Sequence, residues 1–279
     1  MVEKGEVFAG NVFSHDRWDE YWEGTLKRDN GNIGTLTTRS NVWSGNYGVT
    51  DRLNVLASLP YVWTRASQGV LQSMQGVQDL SLTAKYSVVE KPSAAVGHVR
   101  LIGALTAGLP LTDYTPDFYP LSIGSASRRL SARGTLNVQS APGWFLNGST
   151  AYTWRAGVTL DRPYYFTDGQ LFLTDEVSVP DVFDYVLSAG YMKRGLMAAF
   201  SVTNQHTQGG GDVRRQDMPF VAHRMNYTKV GGMLMYPIPK FERLRAHVAY
   251  SYTPTGRNVG QATTVTGGAL YTFQVRRTK

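Results

Sequence analysis

From about residue 21 to the end of the chain, apolar and polar side chains alternate with a period of two, and this limits the fold more than any other feature. Residues 79–88 show it clearly. Leu80, Leu82, Ala84, Tyr86 and Val88 share one parity, and Asp79, Ser81, Thr83, Lys85 and Ser87 share the other. Successive side chains of a strand point to opposite faces, so such a segment has one apolar wall and one wet wall. At 129–138, Leu130, Ala132, Gly134, Leu136 and Val138 oppose Arg129, Ser131, Arg133, Thr135 and Asn137. At 243–252, Leu244, Ala246, Val248, Tyr250 and Tyr252 oppose Arg243, Arg245, His247, Ala249 and Ser251.

The strand rules give about twelve such segments, near 21–28, 33–47, 53–65, 77–89, 98–109, 127–139, 144–157, 183–193, 196–206, 222–236, 243–253 and 263–274. Each has roughly the ten or more residues that a tilted strand needs to cross a bilayer. The longest apolar runs, such as Met197-Ala198-Ala199-Phe200, fall far short of the ~18 residues of a membrane helix. After a first short link, the connections alternate. Tight ones follow Gly48, Glu90, Ala141, Lys193 and Pro237, and long ones span about 66–76, 110–126, 158–182 and 207–221, with a shorter one near 254–262. Short periplasmic turns and long outer loops mark bacterial outer-membrane barrels. The expected fold is all-β: a transmembrane antiparallel up-and-down barrel of twelve strands over 21–279, behind an N-terminal periplasmic segment, 1–20, that is either a partial plug of the mouth or a loose tail merging into the first strand.

Composition supports this reading over soluble domains. Charged residues make up 18% of the chain, below the roughly 25% of soluble proteins, and aromatic residues make up 12%. A soluble sandwich with an aromatic core, the alternative, calls for shorter strands. Tyr61, Trp63, Trp144, Tyr152, Trp154, Tyr191, Tyr236, Tyr250, Tyr252, Tyr271 and Phe273 mostly share the apolar parity, as two interfacial girdles require. The absence of cysteine removes disulfides, thiol catalysis and Cys-based metal centres. The first residues, Met1-Val-Glu-Lys-Gly-Glu, contain no apolar signal-peptide core, so a mature exported chain is expected.

If the apolar face meets lipid, the polar face lines the lumen. It carries Lys27, Arg39, Lys85, Arg100, Arg129, Arg133, Arg155, Lys229, Arg243 and Arg245, with His98 and His247, against Glu23, Asp79 and Asp184. The formal charge of +7 is spread along these segments rather than clustered, which argues against nucleic-acid binding. Rings of Arg or Lys favour anions, and a low-dielectric wall focuses their field. The alternative is that these charges are paired and brace a plugged barrel. Lys85, Arg100, Arg129, Arg133, Arg155, Lys229, Arg243 and Arg245 are the candidate solute-contacting residues, with Arg100, Arg129 and Arg133 expected to set charge selectivity. Leu56, Val62, Ile102, Val186, Met197, Met233 and Met235 share the lumen parity, a mixed lining that suits an aromatic or fatty carboxylate. No cofactor or metal ion is expected; outer-membrane lipid and a small solute are the expected partners. In the loop 158–182, Asp168-Gly169 between apolar triplets predicts a hairpin, either a lid or an extension of the wall.

Three segments carry a family resemblance. They are Tyr47-Gly-Val-Thr-Asp-Arg-Leu-Asn-Val-Leu-Ala-Ser-Leu-Pro-Tyr61, Gly76-Val-Gln-Asp-Leu-Ser-Leu-Thr-Ala-Lys-Tyr86, and the loop from Leu109-Pro-Leu-Thr-Asp to Ser125. They resemble the outer-membrane transporters associated with the meta-cleavage pathway of phenol degradation. That resemblance implies a barrel and uptake of hydrophobic or aromatic compounds, and it transfers no substrate-contacting residue. The rival readings are a monomeric porin for acidic sugars, a plugged accessory barrel of a larger complex, and an outer-membrane hydrolase. The last would need a His beside a nucleophile or acid pair. His98, His206, His223 and His247, with Asp168, Asp175, Glu176, Asp181 and Asp212 at the outer rim, are the residues it would draw on.

Overall fold

The computed structural model describes residues 1–70, 73–93, 96–167, 169–214, 220–241 and 243–275. Twelve long strands form its wall: β1 Glu6–Trp18, β2 Leu36–Gly48, β3 Leu53–Ala66, β4 Asp79–Ser93, β5 Gly97–Pro110, β6 Arg129–Gln139, β7 Trp144–Arg155, β8 Val182–Lys193, β9 Leu196–Thr207, β10 Asn226–Pro237, β11 Leu244–Arg257 and β12 Thr263–Gln274. Each pairs antiparallel with its neighbours in sequence. β1 pairs with β12 from Glu6↔Gln274 to Arg17↔Thr263 and with β2 from Val7↔Tyr47 to Trp18↔Leu36, which closes the ring. Closure matters because in hydrocarbon no water can satisfy an open strand edge. A shorter strand, Ser73–Val77, extends the wall above β4 and pairs with the upper half of β3.

The alternation in sequence becomes an inside and an outside. Side chains opposite one another on adjacent strands share a face, so the register carries one parity around the ring. Leu82, Leu105, Leu130, Leu146, Leu187, Phe200, Leu234, Val248 and Val265 all lie on the outer face and are exposed. In water this would be an aggregating surface; around a closed barrel it is the surface that lipid covers. A β-bulge between Ser87 and Val89 turns Val88 and Val89 both outward and returns Glu90 to the lumen opposite Arg100. At one end the strands are joined by tight turns. Arg194 and Gly195, with φ of 51° and 81°, form a two-residue turn between β8 and β9 of the type that matches strand twist. That end is periplasmic by the loop-length rule, and the paired Glu6 and Gln274 lie there.

The aromatic residues form two belts. Tyr47, Trp144, Tyr191, Tyr236, Tyr271 and Phe273 stand outward near the periplasmic ends, with Trp144 and Tyr191 packed edge-on at 5.3 Å. Tyr61, Trp63, Tyr152, Trp154, Tyr250 and Tyr252 do so near the outer ends.

The beginning of the chain corrects the sequence reading. Glu6–Trp18 is not a periplasmic segment or plug but the first wall strand, and 21–28 is not a wall strand. It lies in an outer hairpin in which Glu20–Glu23 pairs with Leu26–Asp29. The reason is visible in β1. Phe8 and Val12 face inward while Asn11, His15 and Arg17 face outward, so neither face reads as purely apolar. The two displacements cancel in the count. Residues 2–4 stay at the periplasmic rim, where Val2 N–H donates to the buried Asn54 side chain at 2.9 Å and Lys4 N–H donates to Asp51 at 3.3 Å.

Candidate functional site

The lumen is lined by the parity opposite the lipid face, and its charge is unevenly placed. Lys85, Arg100, Arg129, Arg133 and Arg155 project from the adjacent strands β4 to β7, Lys229 from β10 and Arg245 from β11. Each is held by register: Lys85 opposes Asn54, Arg133 opposes Ala104 and Ala151, and Arg129 opposes Gly108 and Arg155. Arg243 is not among them. It lies exposed in the periplasmic turn before β11 because the strand begins at Leu244. Lys27 lies in the outer hairpin, where its ammonium meets Glu20 at 2.7 Å, and Glu23 pairs there with Arg28. Arg39 faces outward, opposite Trp63 and His15, since it has the parity of Trp43 and Tyr47.

The charges fall into two groups. Arg129 binds Asp79 at 2.7 Å and also donates to the Ser81 hydroxyl. Asp79 is almost completely buried and accepts a further bond from the Tyr114 hydroxyl. Arg133 binds Asp184 at 2.7 Å and donates to Ser149 across β7. Glu90 bridges Arg100 and His98 at the periplasmic end. The three arginines chosen from sequence for selectivity therefore each have a carboxylate partner. Lys85, Arg155, Lys229 and Arg245 have no acidic ion-pair partner among the described residues, and Lys229 lies over the Tyr227 ring at 5.8 Å. A paired guanidinium contributes little net field, whereas an unpaired cation contributes its whole charge.

Next to this basic arc the lumen turns apolar. Met192 opposes Met197, Met197 opposes Met235, and Met233 stands one pair deeper opposite Ala199. With Val186 they cover the lumen face of β8 to β10 toward the periplasm. Leu56, Val62 and Ile102 also face inward; Val62 and Ile102 are buried.

The outer mouth is covered. The loop between the neighbouring strands β5 and β6, residues 111–128, does not stay above them. Leu121 is fully buried against Leu36 and Ala66 at the tops of β2 and β3, with Trp18, Ile33 and Met74 around it. The lumen-facing Thr64 hydroxyl donates to the Leu121 carbonyl, and the Gln78 amide donates to that of Ile123. The loop leaves β5, is bonded to β2 and β3 on one side, and brings Tyr119 and Pro120 beside Trp18, Val213 and Asn258 on the other, so it reaches across the mouth. Tyr119 packs against the apolar cluster of the outer loops within electrostatic reach of the Arg155 guanidinium, and burial pushes its phenol up.

The loops above lock this crossing in place. In 158–182, Val158–Thr159 pairs with Glu176–Val177 and Tyr165–Thr167 with Gln170–Phe172, so the hairpin expected there forms; Asp168 at its tip lies outside the described residues. Val158, Tyr165 and Val177 share an apolar cluster with Phe220 and Val221 of the loop 208–225. Arg162 ties it to Asp117 of the crossing loop at 2.8 Å. Asn258 joins three segments. Its oxygen accepts from the Gly24 and Val213 amides at 2.8 and 3.1 Å, and its amide donates to Asp212 and to the Arg224 carbonyl. It does so at φ 56°, a left-handed conformation that Asn tolerates better than most residues. Arg257 binds Asp212 with both guanidinium arms, at 2.8 and 2.6 Å, and holds that carboxyl down at about 2.

The residues a hydrolase would need are scattered. His206 faces outward on β9, His98 is bound to Glu90, and His223 sits in the cap beside Thr167 and the Phe220 amide. His247 faces the lumen beside Met235.

No protein-family model matches the chain, and no curated protein matches it in sequence. Among solved structures, the fold is similar to that of the COG4313 outer membrane channel from Pseudomonas putida F1, with a TM-score of 0.75 and 15% identity over 98% of this chain and 97% of that one. It also resembles the NanC porin, with a TM-score of 0.51 and 9% identity over 93% of this chain and 98% of that one. At these identities the likeness is one of fold: a closed outer-membrane barrel.

Proposed function

We propose that the protein is an outer-membrane channel for small amphipathic acids, aromatic or short fatty carboxylates, and that solute passes only when the outer loops move. One observation carries the reading: five basic residues project into the lumen from β4 to β7, while the periplasmic part of the lumen face of β8 to β10 is apolar and methionine-rich. A carboxylate finds charge-assisted donors on one side. A ring or alkyl group finds polarisable thioethers and branched side chains on the other. Sugar acids, hydroxylated on every face, gain nothing from the apolar side.

Lys85, Arg155, Lys229 and Arg245 supply the field that draws the anion inward, while Arg129 and Arg133, already paired, keep the wall in register and offer spare donors. The crossing loop, pinned by Leu121 and Thr64, blocks the direct route, so loop motion gates entry. The channel name borne by the Pseudomonas structure supports this reading. Block of ionic current by added solute tests it. Benzoate should block the reconstituted channel at lower concentration than glucuronate, with toluene without effect. Equal block by benzoate and glucuronate would favour a sugar-acid porin, and no current from folded protein would favour the accessory-barrel reading.

A further inference from the structure

Apart from the lumen, one cationic cluster stands where a solute channel has no use for it. On the outer face of β1, β2 and β3, at their outer ends, Arg17 and Arg65 both oppose Thr37, and Arg39 opposes His15 on one side and Trp63 on the other. All share the parity of the lipid-facing Phe13, Trp43 and Tyr47. Arg39 Nε donates to His15 Nδ1 at 3.3 Å, which leaves the outer arms of the guanidinium free of that bond. Among the described residues neither Arg39 nor Arg65 has an acidic partner, and Arg17 reaches only Asp19 at 4.0 Å, with both side chains exposed.

These groups border a surface cavity of about 580 Å³ lined by Phe13, Thr37, Arg39, Trp63, Arg65 and Gln75. By register, Arg39 and Arg65 are diagonal neighbours, about 7–8 Å apart at the backbone. Arg17 stands two strands from Arg65, roughly 10 Å away. Arg17 and Arg65 thus lie outward of Phe13 and Trp63, with Arg39 level with Trp63. They lie at the level where hydrocarbon gives way to headgroups, because Trp63 and Tyr61 belong to the outer aromatic belt. Unpaired charge on a lipid-facing wall is unfavourable unless the lipid supplies the counter-ion. The pattern of two or three cations above aromatic rings matches a lipid with phosphate groups over acyl chains.

We infer that this sector binds a phosphorylated glycolipid of the outer leaflet, with Arg39 and Arg65 forking onto phosphate oxygens, Arg17 on the rim, and Phe13 and Trp63 against the first acyl segments. The inference rests on the outer-membrane placement and not on the identity of the solute. Bidentate guanidinium–phosphate pairing gives geometric selectivity that a lysine patch would lack.

The test is native mass spectrometry of the whole protein in detergent micelles with added diphosphoryl lipid A. The wild type should carry one lipid adduct. R39Q/R65Q should lose it by about tenfold or more, since both charge-assisted guanidinium–phosphate contacts are removed. R194Q, in a periplasmic turn, should leave it unchanged. Both variants replace solvent- or lipid-exposed side chains, and heat-shifted migration on gels checks that their barrels are closed. An adduct of undiminished intensity in R39Q/R65Q would overturn the inference. So would displacement of the lipid by inorganic phosphate alone, which would mark a simple anion site.

Discussion

Two basic residues of similar appearance in the sequence do different work in the wall. Arg129 neutralises Asp79, a carboxylate with almost no contact with solvent, and the Tyr114 hydroxyl completes its shell. Arg129→Gln therefore leaves a buried charge unpaired and should destabilise the barrel by about 3–5 kcal/mol, read as a lower urea midpoint of the folded band on gels. Lys85 faces the same lumen without an acidic partner among the described residues. Lys85→Gln should cost less than about 1 kcal/mol, in line with weakly coupled charges, yet shift the reversal potential of the current toward the cation. A large stability loss with Lys85→Gln and none with Arg129→Gln would reverse the assignment of bracing and field. The sequence could not separate them: a partner on another strand, such as Asp184 for Arg133, becomes visible only when register is known.

At the level of strands and loops, legibility followed the lipid. Strands whose outer face is uniformly apolar, such as β4 and β6, stood out because hydrocarbon imposes one parity on ten residues. β1 did not, since Gly10 and Ser14 on its lumen face share space with Phe8 and Val12, while its outer end is polar. The crossing loop was illegible for another reason. Nothing in Tyr119-Pro120-Leu121 announces that Leu121 will be buried against Leu36 and Ala66, more than fifty residues away. Two predictions belong here. Leu105→Arg places a charge at mid-wall on the lipid face and should cost about 2–4 kcal/mol, whereas the same change at Thr106 on the lumen face should cost little, measured by folding equilibria in vesicles. Asn258→Ala removes the acceptor shared by Gly24 and Val213 and the donor to Asp212, and it should raise the fraction of time the channel is open. The tie from Arg257 to Asp212 adds a pH dependence. Because the folded carboxyl is held at about 2 rather than 3.8, its contribution is present above 3.8 and is lost as pH falls through that interval toward 2. Open probability should rise over that window in the wild type and not in Asp212→Asn.

Over the whole molecule, closure settles what the charge can do. Twelve strands without a free edge leave the inner face as the place where polar side chains can be solvated within the bilayer, and basic groups dominate the β4 to β7 part of that face. The low-dielectric wall keeps their field along the axis, so even a few unpaired cations should bias permeation. The most direct test is the reversal potential of single-channel current across a planar bilayer under a potassium chloride gradient, for the wild type and for Asn258→Ala with its loosened cap. The prediction is a small, infrequently open current in the wild type, more open time in the variant, and a reversal potential displaced toward that of chloride in both. A displacement toward potassium, or no current from either folded protein, would contradict an anion-favouring channel.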